Sequence, residues 1–155
     1  MTHDEVEILL VEDNPADVEL ALIALRAHKL ANTIHIARDG AEALDFLFGR
    51  GSRSNYGSIA PKVVLLDLKL PKVDGLEVLK AIRDDARTEL IPVVVLTSSK
   101  EQRDLVDSYK LGVNSYIQKP VDFNQLQETI RQLGLYWLVV NEVPHPPESN
   151  PPAEA

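Results

Sequence analysis

Five short apolar runs, separated by segments of helical period, constrain this chain more than any other feature. The runs are Ile8–Val11, Thr33–Ala37, Val63–Asp67, Pro92–Thr97 and Ser115–Gln118. VVLLD and VVVLT are continuous rather than alternating, which suits strands covered on both faces, as in a parallel sheet. Between the runs, Asn14-Pro15 marks a helix start, a capping side chain followed by proline at the first helical position, with Asp17 in the first turn. Val18, Leu22 and Leu25 then recur at helical spacing. Gly75 to Arg83 carries Leu76, Leu79 and Ile82, and Ser99 to Leu111 carries Leu105, Val106 and Tyr109. Strands alternating with helices through right-handed crossovers predict an α/β fold with a doubly wound parallel sheet. No repeat is visible beyond this alternation.

Two stretches stand apart from the pattern. Gly49–Pro61, GRGSRSNYGSIAP, reads as a surface loop before the third strand, either a plain insertion or a partner contact. The last helix carries Phe123, Leu126, Ile130, Leu133, Trp137 and Val140 at steps of three and four. Its first half suits packing on the sheet. LYWLVV is apolar nearly all round, which a surface helix cannot leave in water. Leu133, Tyr136, Trp137 and Val140 are therefore candidate residues of a dimer or partner interface, with Gly134 weakening the helix between them. Beyond it, VPHPPESNPPAEA holds five prolines and no apolar mass, so residues 6–140 are expected to fold and 141–155 to form a disordered tail.

Composition removes several function classes. The 155 residues contain no cysteine, which excludes a disulfide scaffold, a thiolate metal site and a cysteine nucleophile. With 24 acidic and 16 basic side chains the formal charge is −8, the wrong sign for a protein whose main partner is nucleic acid. The start has neither a charged leader nor a long apolar core, and no stretch approaches a membrane span, so the expectation is a cytoplasmic protein. The four histidines show no ligand spacing and are assigned no role.

In open α/β sheets the working groups lie past the carboxyl ends of the strands. Glu12 and Asp13 follow the first strand, Asp67 closes the third, Thr97 closes the fourth and Lys119 follows the fifth. Taken singly, the first two could cap a helix, Thr97 could end a strand and Lys119 could be a solvated charge. Taken together, three acids, a hydroxyl and an ammonium converge on one edge. Crowded carboxylates repel, and a hard divalent cation, Mg²⁺ best, relieves the repulsion. A carboxylate beside such a metal can attack a phosphoryl group, with the ammonium and hydroxyl neutralising charge.

LLVEDN, VVLLDLKLPKVDG, VVVLTSS and YIQKP resemble the four signatures of response-regulator receiver domains, over about Val6 to Leu138. That resemblance implies a flavodoxin-like receiver fold, a five-stranded parallel sheet flanked by five helices. It implies that Asp67 accepts phosphate from a sensor histidine kinase, while Glu12, Asp13, Asp67 and the backbone carbonyl of Lys69 hold Mg²⁺. Thr97 would hydrogen-bond the phosphoryl group, Lys119 would pair with it, and Tyr116 would be the aromatic switch that turns inward. Lys119–Pro120 would be a cis peptide, and Pro71 and Gly75 match the loop after the acceptor. Lys69 and Ser99, two residues after Asp67 and Thr97, are candidates for setting the lifetime of the phosphorylated state.

VEDNPADVELA, ARDGAEALDFL, LPKVDG and LYWLVV further resemble the stand-alone regulators that serve bacterial phytochromes. This implies a phytochrome-type kinase as phosphate donor and a homodimer built through the C-terminal helix. No effector module is expected after that helix, so output would be a change of surface around Ser99–Tyr109, Ser115–Gln118 and the last helix. Within the same class, the chain could relay phosphate to a second histidine protein. An aspartyl-phosphate phosphatase would want a second Asp where Lys69 stands. A flavodoxin-like cofactor protein would want a phosphate loop after the first strand.

Overall fold

The computed structural model describes residues 8–27, 33–51 and 60–132. Ten elements alternate along the chain. They are β1 (Ile8–Val11), α1 (Pro15–Ala27), β2 (Ile34–Ala37), α2 (Gly40–Phe48), β3 (Val63–Asp67), α3 (Gly75–Arg83), β4 (Val93–Thr97), α4 (Lys100–Ser108), β5 (Ser115–Gln118) and α5 (Phe123–Gln132). The strands form one parallel sheet in the order β2-β1-β3-β4-β5. The order reverses between β1 and β3, which puts the switch point of the doubly wound sheet where these two strands end.

Continuous apolar runs give this sheet two buried faces, because alternate residues of a strand point opposite ways. Ile8, Leu10, Val63, Leu65, Val94 and Leu96 pack with Val18, Ala21 and Leu25 of α1 and Leu126 of α5. Leu9, Val11, Val64, Leu66, Val93 and Val95 pack with Phe46 of α2, Val78 and Ile82 of α3 and Val106 of α4. Each helix starts on a polar cap. Asn14 Oδ1 accepts from the Ala16 and Asp17 N–H groups, Asp39 from Glu42, Asp74 from Glu77, Ser99 from Gln102 and Asp122 from Gln125.

At the amino edge of the sheet, Arg83 uses all five of its N–H donors. Nε donates to Leu111 O, Nη1 to Glu89 O and Ile91 O, and Nη2 to Gly112 O and Asn114 Oδ1, at 2.7–3.1 Å. Asn114 Oδ1 also accepts from the Val93 N–H at 2.9 Å. One guanidinium thus ties the end of α3 to the approaches of β4 and β5.

The expected architecture is present, with three shifted boundaries. Thr33 and Pro92 lie just outside β2 and β4. Each lends its carbonyl to a neighbouring strand, Thr33 O accepting from the Ile8 N–H and Pro92 O from the Val64 N–H. The helix expected over Ser99–Leu111 is shorter, because Ser99 is its cap and Lys110 and Gly112 turn left-handed at φ 53° and 73°. The C-terminal boundary at residue 140, the tail, and the interface candidates Leu133, Tyr136, Trp137 and Val140 lie outside the described residues. Among those described, no helix is long and apolar enough to cross a membrane.

Candidate functional site

The backbone after each strand delivers one part of the site. β1 and β3 are neighbours in register, Val11 opposite Leu66, so the residues that follow them meet at the switch point. Glu12, Asp13 and Asp67 each offer a carboxylate oxygen within 4.8 Å of the others. Glu12 and Asp67 are buried while Asp13 is exposed. Behind Asp67, the Gly75 N–H donates to Leu68 O at 2.8 Å, and a Cβ on Gly75 would lie 2.2 Å from Asp67 O. Only glycine lets the start of α3 approach the acceptor strand so closely. The loop between them is also fixed from α2, where the Gly40 N–H donates to Pro71 O at 3.4 Å.

Lys119 brings an ammonium, the one that pairs with these acids among the described residues. The Lys119–Pro120 peptide is cis, as the resemblance implies, and the Lys119 N–H donates to Thr97 O at 2.7 Å. Nζ lies 2.9 Å from Asp17 Oδ2, 3.1 Å from Glu12 Oε1 and 3.4 Å from Asp67 Oδ1. Asp17 is the residue that strand-end reasoning missed. Its place in the first turn of α1 accounted for it as a dipole-favoured acid, and only the fold brings it to the cleft. Thr97 is buried at the end of β4. The Lys69 backbone reaches the Asp67 carboxylate through its N–H, while its side chain is exposed.

The electrostatics are those of a site short of positive charge. Burial raises the Glu12 carboxyl from its ordinary 4.5 to about 7, helped by the charge of Asp67 and opposed by Lys119. Burial likewise raises Asp67, against the pull of Lys119. Burial alone would depress the Lys119 ammonium, but the Asp17 hydrogen bond and the charges of Asp67 and Glu12 outweigh it and hold it above its ordinary value. Glu12 Oε1 is buried and accepts no hydrogen bond, although the ammonium lies nearby. An orphaned buried oxygen in an all-carboxylate set fits a hard divalent cation such as Mg²⁺ or Mn²⁺, whose ligands are oxygens.

A cavity of about 540 Å³ opens beside Thr97, lined also by Arg103, Asp107, Tyr116, Gln118 and Gln125. Tyr116 is half-buried there, its hydroxyl donating to Asp107 Oδ1 and its ring under the Arg103 guanidinium at 4.8 Å. Burial and the Asp107 hydrogen bond raise the phenol, so it stays protonated. Ser99 lies on the wall of the same cavity.

Comparison with known proteins agrees with this geometry. The chain is 44% identical to the "Probable methanogenesis regulatory protein FilR2" of Methanothrix harundinacea, over 93% of this chain and 91% of that protein. It is 39% identical to the response regulator Rcp1 of Synechocystis, over 88% of this chain and 92% of Rcp1. The Mn²⁺-bound structure of Rcp1 superposes with a TM-score of 0.69, covering 90% of this chain and 99% of that one. The bacteriophytochrome response regulator AtBRR is 56% identical with a TM-score of 0.80, over 89% of this chain and 99% of its own. The pattern of the response regulator receiver domain spans residues 8–131, from the first residue of β1 nearly to the end of α5, and the chain belongs to that family.

Proposed function

We propose that this chain is a phosphorylation-operated switch whose acceptor is Asp67. One observation carries the reading. The Asp67 carboxylate shares a 4.8 Å cluster with Glu12 and Asp13 and has the Lys119 ammonium 3.4 Å from Oδ1. An Asp67 oxygen attacks the phosphorus of a phosphohistidine, an oxygen–phosphorus bond forms, and the phosphorus–nitrogen bond breaks with its electron pair leaving on the imidazole. Glu12, Asp13, Asp67 and the Lys69 carbonyl would hold Mg²⁺, which when bound neutralises charge on the transferring group. Lys119 pairs with one phosphoryl oxygen and the Thr97 hydroxyl donates to another. The chain accepts phosphate without turning over as an enzyme.

The switch follows from Thr97 and Tyr116. As Thr97 turns toward the phosphoryl group, the adjoining cavity gives the Tyr116 ring space to move inward, which changes the surface of α4 and β5. The likeness to the bacteriophytochrome response regulator AtBRR supports a phytochrome-type histidine kinase as donor, and LYWLVV supports a homodimer through Leu133, Tyr136, Trp137 and Val140. Lys69 and Ser99, flanking the acceptor and Thr97, tune how long the phosphoryl group survives.

The test is to incubate the protein with Mg²⁺ and acetyl phosphate. An acid-stable, base-labile phosphoryl group should form and be absent in Asp67→Asn. Label that persists in Asp67→Asn, or none in the parent with any phosphodonor, overturns the reading.

A further inference from the structure

Asp17 stands outside the acid cluster yet makes the shortest contact to its ammonium. Lys119 Nζ is 2.9 Å from Asp17 Oδ2, against 3.1 Å to Glu12 and 3.4 Å to Asp67. An ammonium has three protons, and three carboxylates surround this one. The three differ in exposure. The Glu12 and Asp67 side chains are 1% and 7% exposed and the Asp17 side chain 25%. Glu12 is further held through Oε2, which accepts from the Asn14 N–H at 3.2 Å. Asp17 sits on a different element, the first turn of α1, its backbone fixed by the Asn14 cap.

We propose that Asp17 is a positioning residue, holding the Lys119 ammonium against α1 in the unphosphorylated protein and yielding it when a phosphoryl group arrives on Asp67. This rests on the acceptor reading given above. A phosphoryl group brings close to two negative charges and strong acceptor oxygens into the cleft. Phosphorylation turns the Asp67 carboxylate itself into the ester, so the ammonium follows the charge outward to the phosphoryl oxygens and loosens its hold on Glu12 or Asp17. Glu12 is the costly one to release, because its carboxylate would be left buried without a cation. Asp17 is the cheap one, because water reaches it once the ammonium departs. A contact present in one state and absent from the other biases the equilibrium toward the first, so the Asp17–Lys119 pair opposes the phosphorylated state. For a partly exposed pair the bias is about one-and-a-half- to fivefold.

The experiment is a calorimetric titration with beryllofluoride, a phosphoryl mimic, at saturating Mg²⁺. Asp17→Asn should bind it about one-and-a-half- to fivefold more tightly than the parent, and Asp17→Glu should return to the parent affinity. Glu19→Gln, which removes the same charge from an exposed site on the same helix, should leave affinity unchanged. In a Lys119→Ala background, Asp17→Asn should have no effect. Unchanged or weaker binding by Asp17→Asn overturns the proposal. So does equal tightening by Glu19→Gln or without Lys119, since either would show a through-space charge effect. The single variants decide even where Lys119→Ala binds too weakly to measure. A parent that does not bind beryllofluoride removes the acceptor reading itself, whereas a parent that binds while Asp17→Asn matches it removes only the role of Asp17.

Discussion

The two edges of the sheet treat charge in opposite ways. At the amino edge one cation, Arg83, meets five neutral oxygens, and every N–H it owns is used. At the carboxyl edge three carboxylates share one ammonium, Asp13 adds a fourth acid, and Glu12 Oε1 is left without a hydrogen bond. The first arrangement is complete as folded. The second is complete only when something else binds. Polar groups that are fully satisfied hold a structure together, while those left wanting mark where a ligand or chemistry belongs. The first set ties the approaches to β4 and β5 and the second follows β1, β3 and β5, so stability and function are divided between opposite edges of the sheet.

The contrast breaks most visibly at Arg83. Arg83→Ala strands several partly buried carbonyls and should lower the unfolding free energy by about 2–3 kcal/mol, read from urea denaturation. The affinity of the folded protein for beryllofluoride should stay at the parent value. A loss of affinity without a loss of stability would show that the edges are not separable.

The next effect is pH-dependent and belongs to the carboxyl edge. Glu12 is raised from 4.5 to about 7 and Asp67 is raised with it, so folding favours their protonated forms. Stability from this source is present in full below pH 4.5 and is lost as pH rises through about 7. Without metal, the melting temperature should therefore fall by several degrees over that interval. Saturating Mg²⁺, which needs the ionised carboxylates, should flatten the slope. A metal-free profile that rises with pH would contradict the excess of negative charge assigned to this edge.

The smallest effect is the sharpest test of the division. Glu12→Gln removes a buried charge at nearly constant shape, so it should stabilise the metal-free fold by about 1 kcal/mol in urea denaturation. Calorimetry should show its Mg²⁺ affinity reduced about tenfold or more. Arg83 variants should show neither effect.

Much of this was legible in the sequence, for identifiable reasons. β1 and β3 begin and end with their apolar runs, because strands buried on both faces leave little room for polar residues between their limits, whereas the edge strand β5 is only partly buried. Glu12, Asp13, Asp67, Thr97 and Lys119 could be placed together because parallel strands all present their carboxyl ends to one edge. Asp17 and Arg83 could not. Each has a sufficient local account, an acid in a first helical turn and a base in a last one, and their partners lie far along the chain. The end of α4 was hidden for a related reason, since a left-handed turn at Lys110 carries no compositional signal.

The ion pair that closes the cleft spans most of the sequence, with Glu12 and Lys119 separated by 107 positions. Between them lie all the crossovers that set β1 and β5 in one sheet. A ribosome-bound chain that has emerged only as far as β4 already carries Asp67 and both acids of the first strand, yet has no ammonium to set against them. The charge balance of the cleft therefore forms only after β5 has been made, later in synthesis than any of its acids.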